Sequence, residues 1–175
     1  MTKEKDIIEE YKELEVVNIR LVKEPSIISE KPISNANDAV NLIQNLIKDF
    51  DREAFFTLNL AADGKPISMN MVSIGTLTSA LVSPREVLKS SVLSNASAYI
   101  AFHCHPSGNP TPSMDDAVTT QRLKEASEIM EIKLLDHIIV GCGSGRSFSF
   151  LAHDLMDGDI VKKCERFKSN KEWER

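Results

Sequence analysis

Apolar residues recur along the chain at two spacings, about 3.6 and about 2 residues, and the switches between them mark its elements. Residues 2–14 predict a short polar helix with Ile7, Ile8, Tyr11 and Leu14 on one side. VVNIRLV, residues 16–22, is rich in β-branched positions and predicts a strand. A looser segment between Pro25 and Pro32 predicts a linker from this N-terminal arm to the main body. Asn35 is placed to cap the next helix. There Ala36, Ala39, Val40, Ile43, Leu46, Ile47 and Phe50 fall at helical spacing. The runs 53–60 and 66–75 flank Asp63-Gly64, a hairpin signal.

Ser83-Pro84-Arg85-Glu86 predicts a helix start, with capping-box spacing between Ser83 and Glu86 and Pro84 at the first helical position. That helix should run to about Asn95. ASAYIAF, 96–102, predicts a buried strand that delivers His103 at its end. A helix beginning near Ser113 would carry Thr119, Leu123, Ala126 and Met130 on one face. KLLDHIIVG (133–141) and SFSFL (147–151) predict two further strands, separated by the glycine-rich GCGSG. The order is helix, hairpin, helix, strand, helix, strand, strand. It predicts an α/β fold with one sheet and helices packed around it.

Composition narrows the class. At 175 residues the chain suits one domain with a proper core, and its 42% apolar and 27% charged residues are ordinary for a soluble globular protein. A net charge of -5 speaks against a general nucleic-acid-binding surface. No stretch approaches the roughly 18 apolar residues of a membrane span, and the charged N-terminus lacks a signal-peptide core. Cys104, Cys142 and Cys164 are odd in number and scattered, which implies reduced thiols and a cytoplasmic location.

The candidate chemistry lies in HCHPSGNPTPSMDD, residues 103–116. His103 and His105, two apart on an extended segment, project to the same side. The Pro and Gly residues after them turn the chain, so that Asp116 can return to the pair. Two imidazoles and a carboxylate, with a fourth position for water, suit catalytic zinc; non-haem iron can use similar ligands. Asp116 also fits a plainer role. With Ser113 as cap, an acidic residue in the first helical turn complements the helix dipole. His137 reads as a core-edge histidine bonded to backbone or Asp136. His153 has no evident partner, and Glu86 is explained by capping.

The motif resembles the JAMM (MPN+) metalloprotease signature in its RadC-like form: His-x-His-Pro-Ser-Gly, a proline-bearing turn, then Pro-Ser-x-x-Asp. The likeness extends over about residues 35–152, through LLDHIIVG and SFSF. It implies a single mixed sheet flanked by helices, of the cytidine deaminase-like architecture. It implies one zinc held by His103, His105 and Asp116, Glu53 as the general base on the zinc water, and Ser113 assisting the oxyanion. Glu53, opening the strand 53–60, otherwise reads as an exposed residue after a charged run. One departure from the family pattern is Cys104, where Asn is usual. On an extended segment it should point away from the two histidines.

The resulting expectation has three parts: an arm and linker (1–34), a RadC-like JAMM domain (35–152) and a C-terminal tail (153–175). The arm is shorter than the helix-hairpin-helix region of full-length RadC proteins, which weakens any DNA role. The tail carries six Lys/Arg and three Glu from residue 161 on, and Trp173 there could meet another subunit, as in a homodimer. The leading functional reading is a zinc hydrolase of peptide or isopeptide bonds, with a peptide or protein as substrate. The alternative is a zinc-retaining binding or scaffold module working with DNA-maintenance or mobile-element proteins. A two-metal nuclease fits less well, because one His2Asp site does not make a two-metal clamp.

Overall fold

The computed structural model describes residues 31–75 and 82–169. The expected elements at 2–14 and 16–22, and Trp173, lie outside the described residues. Asn35 caps α1 (Ala36–Ile47) as expected: its side chain accepts from the Asp38 N–H at 3.0 Å. Ala39, Ile43 and Ile47, four apart, form the buried stripe of that helix. β1 (Ala54–Leu60) and β2 (Pro66–Ile74) then pair antiparallel, with Gly64 at φ 79° in the turn where a side chain would be strained.

α2 (Pro84–Leu93) starts with Pro84 as predicted, but the capping box does not form. Ser83 makes no side-chain cap bond, and Glu86 pairs with Lys89 one turn later instead. β3 runs Ala98–His105, so the strand continues through both histidines rather than ending before them. α3 (Met114–Met130), β4 (Lys133–Gly141), β5 (Ser147–Ser149) and α4 (Ile160–Ser169) complete the order.

The five strands make one mixed sheet in the order β2-β1-β3-β4-β5. β3 and β4 are parallel, and the other neighbours are antiparallel. Strand alternation sorts the side chains onto two faces. Ala54, Phe56, Leu58, Ile100, Phe102 and Cys104 pack toward α1. Phe55, Tyr99 and Ala101 pack with Val87 of α2 and Leu123 of α3 on the other face. His103 follows this second parity and Cys104 the first. Cys104 is fully buried in the α1-side core, as its place on an extended strand predicts.

Two packing details lie outside the predicted pattern. The buried face of α3 is Asp116, Ala117, Thr120, Leu123 and Ser127, so Thr120 faces in where Thr119 is predicted, and Met130 is exposed. α4 is amphipathic, and its Ile160 and Cys164 join Ala117, Ile139 and Phe150 in a third core cluster. Among the described residues, no helix is long and apolar enough to cross a membrane.

Candidate metal centre

One end of the sheet gathers the polar residues. β1 and β3 are antiparallel with Phe55 opposite His103, so Glu53, just before β1, falls beside the histidine pair. α3 follows β3 after the turn 106–112 and brings Asp116 back to the same end. Glu53 is 8% exposed and Asp116 is 3% exposed, which is rare for carboxylates unless they are paired.

The contacts are close. His103 Nδ1 lies 2.6 Å from Asp116 Oδ1. His103 Nε2 lies 2.5 Å from Glu53 Oε2. That second pair does not align as a hydrogen bond, so both atoms are buried polar atoms without a hydrogen-bond partner. His105 Nδ1 lies 2.9 Å from the backbone oxygen of Asn109. A carbonyl only accepts, so Nδ1 carries the hydrogen and Nε2 keeps its lone pair. That Nε2 is 3.7 Å from Asp116 Oδ2. The two imidazoles meet edge to face at 4.8 Å.

Asp116 is held from both directions. It stands at the third position of α3, where its Oδ2 accepts from the Ser113 N–H and the Ser113 hydroxyl, each at 2.6 Å. The Asp116 N–H returns a bond to the Ser113 oxygen at 3.1 Å, completing a capping box with Asp in place of the usual Glu. The cap and site readings of Asp116 are therefore not rivals, because its other oxygen meets His103. Ser113 uses its one hydroxyl hydrogen on Asp116 in this arrangement, so its contact is with the carboxylate rather than with open solvent.

The electrostatics favour a cation. Burial disfavours a charged His103, yet the Asp116 and Glu53 carboxylates outweigh it and lift its pKa to about 9. Burial would raise the Asp116 pKa, but the bond to His103, the charge of His103 and the Ser113 bond together hold it well below the usual carboxylate range. A metal ion at this place would compete with the His103 proton for the same two carboxylates.

Ligand atoms of Glu53, His103 and His105 lie within 4.8 Å of one another and could hold a metal ion. This trio contains Glu53 in place of the Asp116 expected from the sequence. Asp116 stays in contact with both histidines. The donor set of two imidazoles and two carboxylates, with orphaned atoms facing inward, fits a divalent ion such as zinc.

Several residues that shape this site carried no signal in the sequence. Gly141, at the end of β4, lets the site turn approach: a Cβ there would stand 2.2 Å from Gly108 O. Arg146 donates to the same Gly108 oxygen at 3.1 Å, and the Cys142 N–H donates to His105 O at 3.0 Å. The GCGSG turn thus clamps the turn that follows His105. His137 and His153 also depart from expectation. His137 is fully buried and bonds Thr120, not Asp136; His153 bonds Ser149 O and stacks on Phe148 at 4.1 Å.

A mixed five-stranded sheet flanked by helices, with a His-His-carboxylate cluster at one end, defines an α/β domain of the JAB/MPN type with a candidate metal site. The RadC-like JAB domain family matches residues 33–155, and the chain belongs to that family. It is similar to a UPF0758 protein of Caldanaerobacter subterraneus subsp. tengcongensis, 41% identical over 115 residues, which are 66% of this chain and 49% of that one. It is also similar to a UPF0758 protein of Desulforamulus reducens, 45% identical over 104 residues (59% and 46%). A third, from the archaeon Methanosarcina mazei, is 37% identical over 122 residues (70% and 52%). The chain spans about half the length of these curated relatives.

Proposed function

We propose that the chain is a zinc-dependent hydrolase of peptide or isopeptide bonds. His103, His105 and Asp116 would hold the metal, and Glu53 would serve the attacking water. The observation that carries this reading is the pair of buried, unaligned atoms, Glu53 Oε2 and His103 Nε2, beside the free Nε2 of His105. Such atoms cost stability when left without a partner, and a cation with its water would satisfy all three.

Zinc held there would polarise the scissile carbonyl and lower the pKa of a bound water to about 7. Glu53 takes a proton from the water as its oxygen bonds to the amide carbon, and returns it to the nitrogen as the C–N bond breaks. His105 keeps its orientation through the Asn109 carbonyl. Ser113 would support the developing oxyanion by turning its hydroxyl hydrogen away from Asp116. The substrate is then a peptide or protein segment. A cytoplasmic location suits the three free cysteines.

The test is metal content together with hydrolysis. Protein purified without chelators should carry one zinc, and His103→Ala should lose it. The parent should cleave members of a panel of quenched fluorescent peptides and isopeptide-linked lysine conjugates. Stoichiometric zinc with no cleavage across that panel would leave a metal-retaining binding module instead.

A further inference from the structure

His137 lies outside the proposed ligand set, yet it is the most unusual buried group in the domain. It is fully buried on β4, on the sheet face that carries His103. Its ring stacks on Phe150 at 5.1 Å, tilts against Phe55 at 5.5 Å and runs parallel to His103 at 6.4 Å. Its Nδ1 is 2.7 Å from the Thr120 hydroxyl, and its Nε2 has no hydrogen-bond partner.

The direction of the bonds follows from counting hydrogens. The Thr120 hydroxyl lies 2.6 Å from the backbone oxygen of Asp116. That oxygen only accepts, so the single hydroxyl hydrogen of Thr120 points to it. Thr120 must then accept from His137, which places the ring's hydrogen on Nδ1. A neutral ring with Nδ1–H leaves a bare lone pair on Nε2, the atom without a partner. Burial, opposed by the Asp116 charge and aided by that of His103, pushes the His137 pKa down to about 3, so the ring is neutral at pH 7. A phenylalanine would fill the slot between Phe55 and Phe150 with no buried lone pair. What the histidine adds is the Nδ1 hydrogen.

We propose that His137 is a positioning residue for the metal centre: through Thr120 it ties the Asp116 carbonyl, and with it the first turn of α3, to β4. The inference rests on the metal reading above. Ser113 fixes the Asp116 carboxylate from the N-terminal side, and the Thr120–His137 relay fixes its backbone from the core. Losing the relay lets that turn shift against the sheet while His103 and His105 stay on β3.

The test compares two pairs of variants in the full chain. Thr120→Val keeps the shape and removes the hydroxyl; Thr120→Ser restores it. His137→Phe keeps a ring without a donor; His137→Asn places an amide N–H near the former Nδ1. Zinc affinity is read by chelator competition, and site geometry by the visible spectrum of the cobalt(II)-loaded protein. Thr120→Val and His137→Phe should each weaken zinc about 10–100-fold and alter the cobalt spectrum, and the double variant should lose no more than either. Thr120→Ser and His137→Asn should stay near the parent, an outcome that a purely packing role would reverse at position 137. Nitrogen NMR of the metal-free parent should find the His137 proton on Nδ1. Parent-like zinc affinity and cobalt spectrum in Thr120→Val, or a proton on Nε2, overturns the relay alone. A parent that binds no zinc overturns the metal reading and the relay with it. If the His137 variants do not fold, the Thr120 pair still decides.

Discussion

Gly141 and Gly108 touch backbone to backbone: a Cβ on Gly141 would come within 2.2 Å of Gly108 O and 2.5 Å of Gly108 C. Neither neighbour is a flexible side-chain end, so the turn after His105 would have to move. Gly141→Ala is expected to displace that turn, breaking the Arg146 bond to Gly108 and weakening the hold of Asn109 on His105. Overpacking of this kind costs about 1–3 kcal/mol. Urea unfolding of metal-stripped protein measures that cost, and chelator competition measures the accompanying loss of zinc affinity. A variant with the parent's midpoint and affinity would show that the turn adapts without strain.

Glu53 and Asp116 both reach His103, but the proposed mechanism gives them separable roles. Glu53→Gln should retain stoichiometric zinc and lose hydrolysis by at least about 100-fold, the usual worth of general base catalysis. Asp116→Asn should lose zinc itself. The reverse pattern, with zinc lost in Glu53→Gln and kept in Asp116→Asn, would assign the ligand set to Glu53, His103 and His105, the trio whose atoms already gather.

The sheet and this motif were legible in the sequence for different reasons. β1 and β3 are short apolar runs with turn signals at their ends, and the capping residues Asn35 and Ser113 are local chemistry. At Ser83 the capping box does not form because the Glu86 N–H goes to the Ser83 backbone oxygen and the Glu86 carboxylate goes to Lys89. The inward turn of Thr120 and the burial of His137 depend on how α3 docks on β4, contacts set 17 residues apart in sequence. Gly141 likewise acts only through a turn more than thirty residues away, which no local pattern encodes.

His137 should make the metal-free fold acid-sensitive. Its folded pKa of about 3 lies below the ordinary 6.5, so the unfolded chain gains a proton first as pH falls. Its stability contribution is whole above pH 6.5 and is lost progressively down to about pH 3. Between about pH 6.5 and 4.5 that loss is about 2–3 kcal/mol. His103, with its pKa raised to about 9, is protonated in the folded state throughout but in the unfolded chain only below about pH 6, so near the top of the window it slopes weakly against His137, equally in both proteins. The buried Asp136, raised from its ordinary value, slopes the other way, so the comparison is between proteins rather than with zero. The urea midpoint should therefore fall further between pH 7 and pH 4.5 for the parent than for His137→Phe. Equal pH slopes in the two proteins would contradict a neutral buried His137.

Cys104 tests the sorting of faces directly. It stands between two proposed zinc ligands in sequence, and thiolate is a strong zinc ligand, so proximity alone would enlist it. The strand alternation sends it instead into the core beneath α1, with Phe56, Phe102 and Val140. Burial pushes its thiol pKa up, which disfavours the thiolate a metal needs. Cys104→Ala should therefore keep zinc stoichiometry and affinity, and lose about 1 kcal/mol of stability through the small cavity left behind. Zinc analysis and urea unfolding of the same preparation separate the two effects. Zinc lost from a variant that remains folded would mean that β3 presents the motif with the opposite parity, and that the face carrying His103 and His105 is not the one α3 covers.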